Sequence, residues 1–161
     1  MIFPTGKPHI SFSELFAWKE CPYRHKLLHI DKLGSFEPSP YLGFGTGVHA
    51  SCEEYIESRQ MNKELAFKEI DDYWDENQEE ITAYIKANGF CKYSPEREQW
   101  KQIASDILDD VPRFLDETFP GWKGVRAEED LYESIQGDEM QFKGFIDAII
   151  INKNKRGQPK V

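Results

Sequence analysis

The sequence predicts an α/β protein in the α+β arrangement, with a helical N-terminal two-thirds followed by the first strands of a mixed sheet. Three observations carry that prediction. Between Leu65 and Leu115 the apolar residues recur at three- and four-residue spacing, the mark of amphipathic helices. From Val125 the period drops towards two, and the run Phe145-Ile-Asp-Ala-Ile-Ile-Ile151 is too apolar and too β-branched for a surface helix. Proline and glycine gather at 34–47, 89–95, 120–121, 137 and 157–159, mostly between the periodic segments, with Pro112 and Gly144 as exceptions within them.

Taken in order, residues 1–10 hold Pro4, Gly6 and Pro8 and predict an irregular arm. Residues 11–119 read as mostly helical. Ser11 or Ser13 can cap a short helix over Glu14–Lys19. Pro22 can open a second one to about Ile30, with Tyr23, Leu27 and Ile30 as its apolar side. Residues 31–41 read as a loop, and a helix is expected from about Thr46 to Arg59. Its approach, Gly43-Phe-Gly-Thr-Gly47, could cradle an anion or could be a tightly packed helix entry; it has neither the Gly-Lys-Ser/Thr of a phosphate loop nor a preceding strand.

Asn62 should cap a long helix ending near Asn88, with Gly89 as its stop. Its acids, Asp71 to Glu80, fall between the apolar positions and read as a solvated face in preference to a metal cluster. Ser94 and Pro95 should open the next helix, whose stripe is Trp100, Ile103, Ile107, Leu108, Val111, Phe114 and Leu115. Pro112 should kink or divide it. Residues 123–161 then predict a hairpin, with strands near 125–135 and 141–152 about a Gly137 turn, and the start of another strand at Lys160.

With 161 residues, 39% of them hydrophobic, a single domain with its own core is expected over 1–161. The N-terminus lacks the basic-then-apolar layout of a secretion signal, and no apolar run approaches the roughly 20 residues of a membrane helix. A cytoplasmic protein with no membrane partner is therefore expected. The three cysteines (Cys21, Cys52, Cys91) form no C-x-x-C pair, which excludes a zinc ribbon and a dithiol redox motif. A net charge of −9 excludes a simple basic nucleic-acid coat. The charge is uneven, however: residues 53–117 hold 18 acids against 8 bases, whereas only bases (Lys153, Lys155, Arg156, Lys160) follow Asp147. Such a basic edge, with Arg24 and Lys26 near the other end, could grip a phosphate backbone.

Asp147 is the residue that points to chemistry. A lone carboxylate in an apolar run needs a partner, and a divalent cation is one. The alternatives are a capping carboxylate for Asp147 and a core hydrogen bond for His49, one turn into its helix.

Four features fall in a fixed order: Ser11-x-Ser13-x-Leu15 leading to Cys21-Pro22-Tyr23-Arg24, then Gly45-x-x-x-His49, then Glu128-Glu129, then Gly144-Phe145-Ile146-Asp147. This order resembles the RecB-like branch of the PD-(D/E)XK nucleases, which includes AddB-type helicase–nucleases, CRISPR adaptation nucleases and many phage exonucleases. The resemblance covers roughly residues 11–161 and implies a restriction-endonuclease-like core. It also implies a metal-dependent DNA nuclease, an exonuclease at DNA ends in recombination, repair or phage replication, using Mg²⁺ or Mn²⁺. It places the catalytic and metal-binding roles on His49 and Asp147, and on Glu129 in preference to Glu128. DNA is the implied partner, with a helicase or recombination protein beside it.

The family's Asp/Glu-x-Lys lies on the strand after the G-x-x-D strand, and no such triplet follows Asp147. The expectation is thus an N-terminal portion of a nuclease, inactive alone, whose open sheet edge could pair two copies as a homodimer. The alternative is a non-catalytic acidic helical module on the nuclease scaffold that binds a protein. In some relatives the cysteine at the position of Cys21 ligates an iron–sulfur cluster; with the other ligands lacking, no cluster is expected here.

Overall fold

The computed structural model describes residues 8–34, 37–88, 96–153 and 159–160. The chain runs β1 (His9–Ser11), α1 (Phe12–Glu20), α2 (Pro22–His25) continuing as a π-helical turn over Lys26–Ile30, α3 (Pro40–Ser58), α4 (Lys63–Glu76), α5 (Gln78–Asn88), α6 (Arg97–Thr118), β2 (Lys123–Ser134), β3 (Gln141–Lys153) and β4 (Pro159–Lys160). The expected order of helices first, then a mixed sheet, is found. The sheet is mixed because β3 pairs parallel with β1 and antiparallel with β4, in the strand order β1-β3-β2. The chain divides into two compact units, Met1–Phe36 with Glu128–Asp147, and Glu37–Ala127 with Ala148–Val161.

In the first unit the irregular arm expected over 1–10 is corrected at its end, residues 1–7 lying outside the described residues: His9, Ile10 and Ser11 form β1, in register with Gln141, Phe142 and Lys143 of β3. Three residues are too few to show a period, and their partner lies far along the chain. Ser11 then caps α1, its hydroxyl accepting from the Glu14 N–H at 3.2 Å. Cys21 does the same for α2, its sulfur accepting from the Arg24 N–H at 3.5 Å. The expected apolar side of this second segment is not buried, since both Tyr23 and Ile30 are largely exposed. His25 packs against α1 instead, Nε2 lying 3.1 Å from a Glu14 carboxylate oxygen, and its ring stacks on His29.

In the second unit α3 packs against α4 and α6, and α4 against α6. The helix α3 begins earlier than expected, at Pro40 instead of Thr46, because proline fits the first helical turn, where its missing N–H has no partner to lose. The three glycines are therefore interior to α3, and no anion-cradling loop exists there. Gly43 and Gly47 are buried, and a Cβ on Gly47 would stand 2.6 Å from the Ala66 carbonyl oxygen of α4. Asn62 caps α4 as expected, accepting from the Leu65 N–H at 3.3 Å. The long helix expected after it breaks at Asn77, whose side-chain amide donates to the Tyr73 carbonyl at 2.8 Å and so competes with the helical ladder.

Helix α6 is not divided by Pro112. Its neighbours Leu108, Val111 and Leu115 turn inward, and their burial offsets the missing backbone bond. Its buried stripe is Trp100, Ala104 and Leu108, whereas Ile103, Ile107 and Phe114 of the expected stripe face solvent. The cap is Glu96, which forms a reciprocal capping box with Gln99. The expected cap and first residue, Ser94 and Pro95, lie outside the described residues, as does Gly89. A second core, Tyr55, Ile56 and Trp122, is closed by Met61, Val111, Leu115, Phe119, Ala127 and Ile150. Arg59 lies 4.0 Å over the Trp122 ring and donates to Asp116, which also accepts from the Trp122 indole N–H at 2.9 Å. No helix among the described residues is long and apolar enough to cross a membrane.

Candidate metal centre on the β2–β3 strands

The acids of β2 and β3 meet because of how these two strands are joined and where the alternation of β2 is interrupted. The joining turn has Gly137 at φ +82, the left-handed region glycine adopts without strain, and the Asp138 N–H donates to the Ile135 carbonyl at 3.1 Å. The Asp138 carboxylate then accepts from the Met140 N–H at 2.9 Å, so the turn is held by its own side chain.

In β2 the expected alternation of exposed and half-buried residues slips, with exposed pairs at Val125–Arg126 and Asp130–Leu131. Between these pairs lies Glu128, with φ +49. A non-glycine residue in that region is uncommon within a strand and costs about 1–3 kcal/mol. A residue in that conformation interrupts the regular alternation of a strand's side chains. The consequence is a carboxylate pair: oxygens of Glu128 and Asp147 come within 4.8 Å of one another, and both groups are exposed.

The acid that the structure groups with Asp147 is thus Glu128 and not its neighbour Glu129, which is half-buried. Nothing in the run Glu128-Glu129-Asp130 marks which acid will adopt the left-handed conformation. Alternation alone puts Glu128 and Glu129 on opposite faces and leaves the choice open. Asp147 also differs from expectation in its surroundings. It is exposed, so the cost of burying a lone charge is not what demands a partner there.

Two carboxylates at this spacing suit a hard cation. Metal–oxygen bonds of about 2.1 Å for Mg²⁺, or a little longer for larger ions, put two ligands of one ion up to about 4.2–4.8 Å apart. The donor set, two exposed carboxylates with room for water, fits Mg²⁺ or Mn²⁺ and offers no thiolate for a softer metal.

The remaining expected residues are placed as follows. His49 is exposed on α3, with Nε2 3.2 Å from a Glu53 carboxylate oxygen one turn on. A carboxylate against one ring nitrogen fixes the orientation of an imidazole, the usual support for a metal-binding histidine. Cys52 is a poor addition to that set, because burial, and then the charge of Glu53, pushes its thiol above the ordinary value. Arg24 is paired with Glu20 at 3.3 Å, and Lys26 with Asp31. The Lys153 side chain, Lys155, Arg156 and Cys91 lie outside the described residues. Cys21 is exposed at the start of α2, where it serves as the cap.

Residues 9–161 match the sequence model of the PD-(D/E)XK nuclease superfamily. The chain is also similar to the Gene 69 protein of Mycobacterium phage L5, at 25% identity over 185 residues, which take in 91% of this chain and 61% of the phage protein. The chain therefore spans 61% of the length of that relative.

Proposed function

The chain belongs to the PD-(D/E)XK nuclease superfamily, and on that premise we propose that it is the metal-binding portion of a RecB-like deoxyribonuclease. The reaction is hydrolysis of phosphodiester bonds, as an exonuclease at DNA ends in recombination, repair or phage replication. The observation that carries this reading is the carboxylate pair of Glu128 and Asp147, presented by neighbouring strands at the spacing of one ion's ligands.

Glu128 and Asp147 would hold the metal in this reading. A bound Mg²⁺ or Mn²⁺ polarises the phosphate and lowers the pKa of a water. The protein's own part is positional. The left-handed Glu128 aims its carboxylate at Asp147, the Gly137 turn fixes the pairing of the strands, and both acids stay open to an incoming backbone.

The test is cleavage of end-labelled linear DNA by the full-length protein. Activity should require Mg²⁺ or Mn²⁺, stop with EDTA and vanish in Asp147→Ala. Because Asp147 is exposed, that variant should melt like the wild type. Retained cleavage in a folded Asp147→Ala protein would sink the assignment.

A second reading is favoured by the charge of the helical segment, where residues 53–117 hold 18 acids against 8 bases. On that reading the net charge of −9 and the nuclease scaffold serve a protein partner, without catalysis. Tight, salt-sensitive DNA binding by the full-length protein argues against it, since a protein-binding module has no phosphates to neutralise.

A further inference from the structure

Lys143, Phe145 and Asp147 fall at period two along β3 and therefore share one face of the strand. Phe145 is 54% exposed, two residues beyond Lys143, the last residue of β3 that pairs with β1. Its ring is not bare: the Lys143 ammonium lies 4.4 Å from its centre and 5.6 Å from the centre of Tyr132 on β2. The cation is thus held between two rings at a distance where the attraction to their faces is appreciable. Phe145 and Asp147 are about 6.6 Å apart along the strand, the reach from a backbone phosphate to the base it carries. An exposed aromatic face, a fixed cation and the carboxylate pair of the candidate metal centre thus follow one another on one surface.

We propose that Phe145 is a stacking platform for an unpaired base and Lys143 its adjoining phosphate contact, making single-stranded DNA the strand presented to the Glu128–Asp147 pair. This inference rests on the nuclease reading for the identity of the ligand. The preference for an unpaired strand follows from the ring. Bases in a duplex already stack on one another and offer no free face, whereas every unpaired base offers one whatever its sequence. The cation matters because the chain is acidic, with a net charge of −9, and its metal-binding carboxylates repel a phosphate until an ion is bound. Lys143 is the positive charge that β3 itself fixes beside the ring.

The experiment measures binding of the full-length protein in EDTA, where the metal centre takes no part, to a dye-labelled oligothymidylate and to a blunt hairpin duplex. Phe145→Ala should weaken binding of the single strand about fivefold or more, with no change for the duplex. Phe145→Trp should keep the single-strand affinity, which separates loss of stacking from loss of fold. Lys143→Met should flatten the dependence of single-strand affinity on salt by about one phosphate contact. Unchanged oligothymidylate binding in Phe145→Ala, an equal loss on the duplex, or no single-strand binding by the wild type overturns the inference. The nuclease reading stands or falls separately. Asp147→Asn should lose cleavage and, by removing a charge that repels phosphate, bind the single strand in EDTA at least as tightly as the wild type; cleavage surviving in Asp147→Asn refutes that reading without touching the Phe145 result.

Discussion

Replacing Gly47 by alanine adds one methyl group where α3 lies against α4, and the structure gives the size of the effect. The new Cβ would stand 2.6 Å from the Ala66 carbonyl oxygen and 3.0 Å from Ile70 Cγ1. The oxygen is backbone and cannot swing aside, so the two helices must part by a few tenths of an ångström. Overpacking of this kind costs about 1–3 kcal/mol, set against a gain of about 0.8–1.0 kcal/mol for alanine over glycine inside a helix. Gly45, two residues earlier, is the internal control. It is exposed, and a Cβ there meets nothing within 4 Å, so Gly45→Ala should show the helix gain alone. The difference between the two variants isolates the overpacking cost, about 1–3 kcal/mol. For a chain of this length that is about 2–12 °C in Tm, with Gly45→Ala the higher. Gly43→Ala should fall between them, because its Cβ would meet the Tyr73 ring, a side chain with some freedom to turn. Thermal melts followed by circular dichroism decide the matter. A Gly47→Ala protein that melts at or above Gly45→Ala would refute the close approach of the two helices.

Two further perturbations probe the second unit. A Cβ on Gly124 would lie 1.7 Å from the Ile56 carbonyl oxygen, so Gly124→Ala should cost more than the about 1–3 kcal/mol of ordinary overpacking and show as a large drop in Tm and soluble yield; a near-wild-type melt contradicts that packing. The Arg59 guanidinium, and next the Trp122 indole N–H, hold the Asp116 carboxyl below its ordinary value. A carboxylate whose folded-state pKa is lowered stabilises the fold above its unfolded value, about 3.9, and loses that contribution as pH falls through the folded value. The Tm gap between wild type and Asp116→Asn should therefore be constant from pH 7 to about pH 4, close below it, and shrink with added salt, since the pair is half-exposed. A gap that does not begin to narrow below about pH 4 would mean that the Asp116 charge is not its source.

The elements readable in the sequence were those set by local chemistry. Ser11 and Asn62 cap the helices they were expected to cap, and the helix-to-strand change of period falls where β2 begins. The elements missed depend on residues far apart or on competing local bonds. The parallel partner of His9–Ser11 is some 130 residues away, Asn77 breaks a periodic run through one side-chain bond, and the exposed half of the α6 stripe could not be told from the buried half by spacing alone. The superfamily could be read from the order of motifs, whereas Asp147 is exposed and is not the buried lone charge that its apolar run suggests. The choice between Glu128 and Glu129 could not be read, because it turns on one backbone angle that neither residue type favours.

That choice makes metal affinity the most direct test of the account. Mn²⁺ binding to the full-length protein, measured by calorimetry without DNA, should fall about 10-fold or more in Asp147→Asn and in Glu128→Gln, since losing even an outer partner of a metal ligand costs about that much. Glu129→Gln should bind as the wild type does. If Glu129→Gln weakens Mn²⁺ and Glu128→Gln does not, or if none of the three changes the affinity, the centre described on β2 and β3 is not where the ion is held.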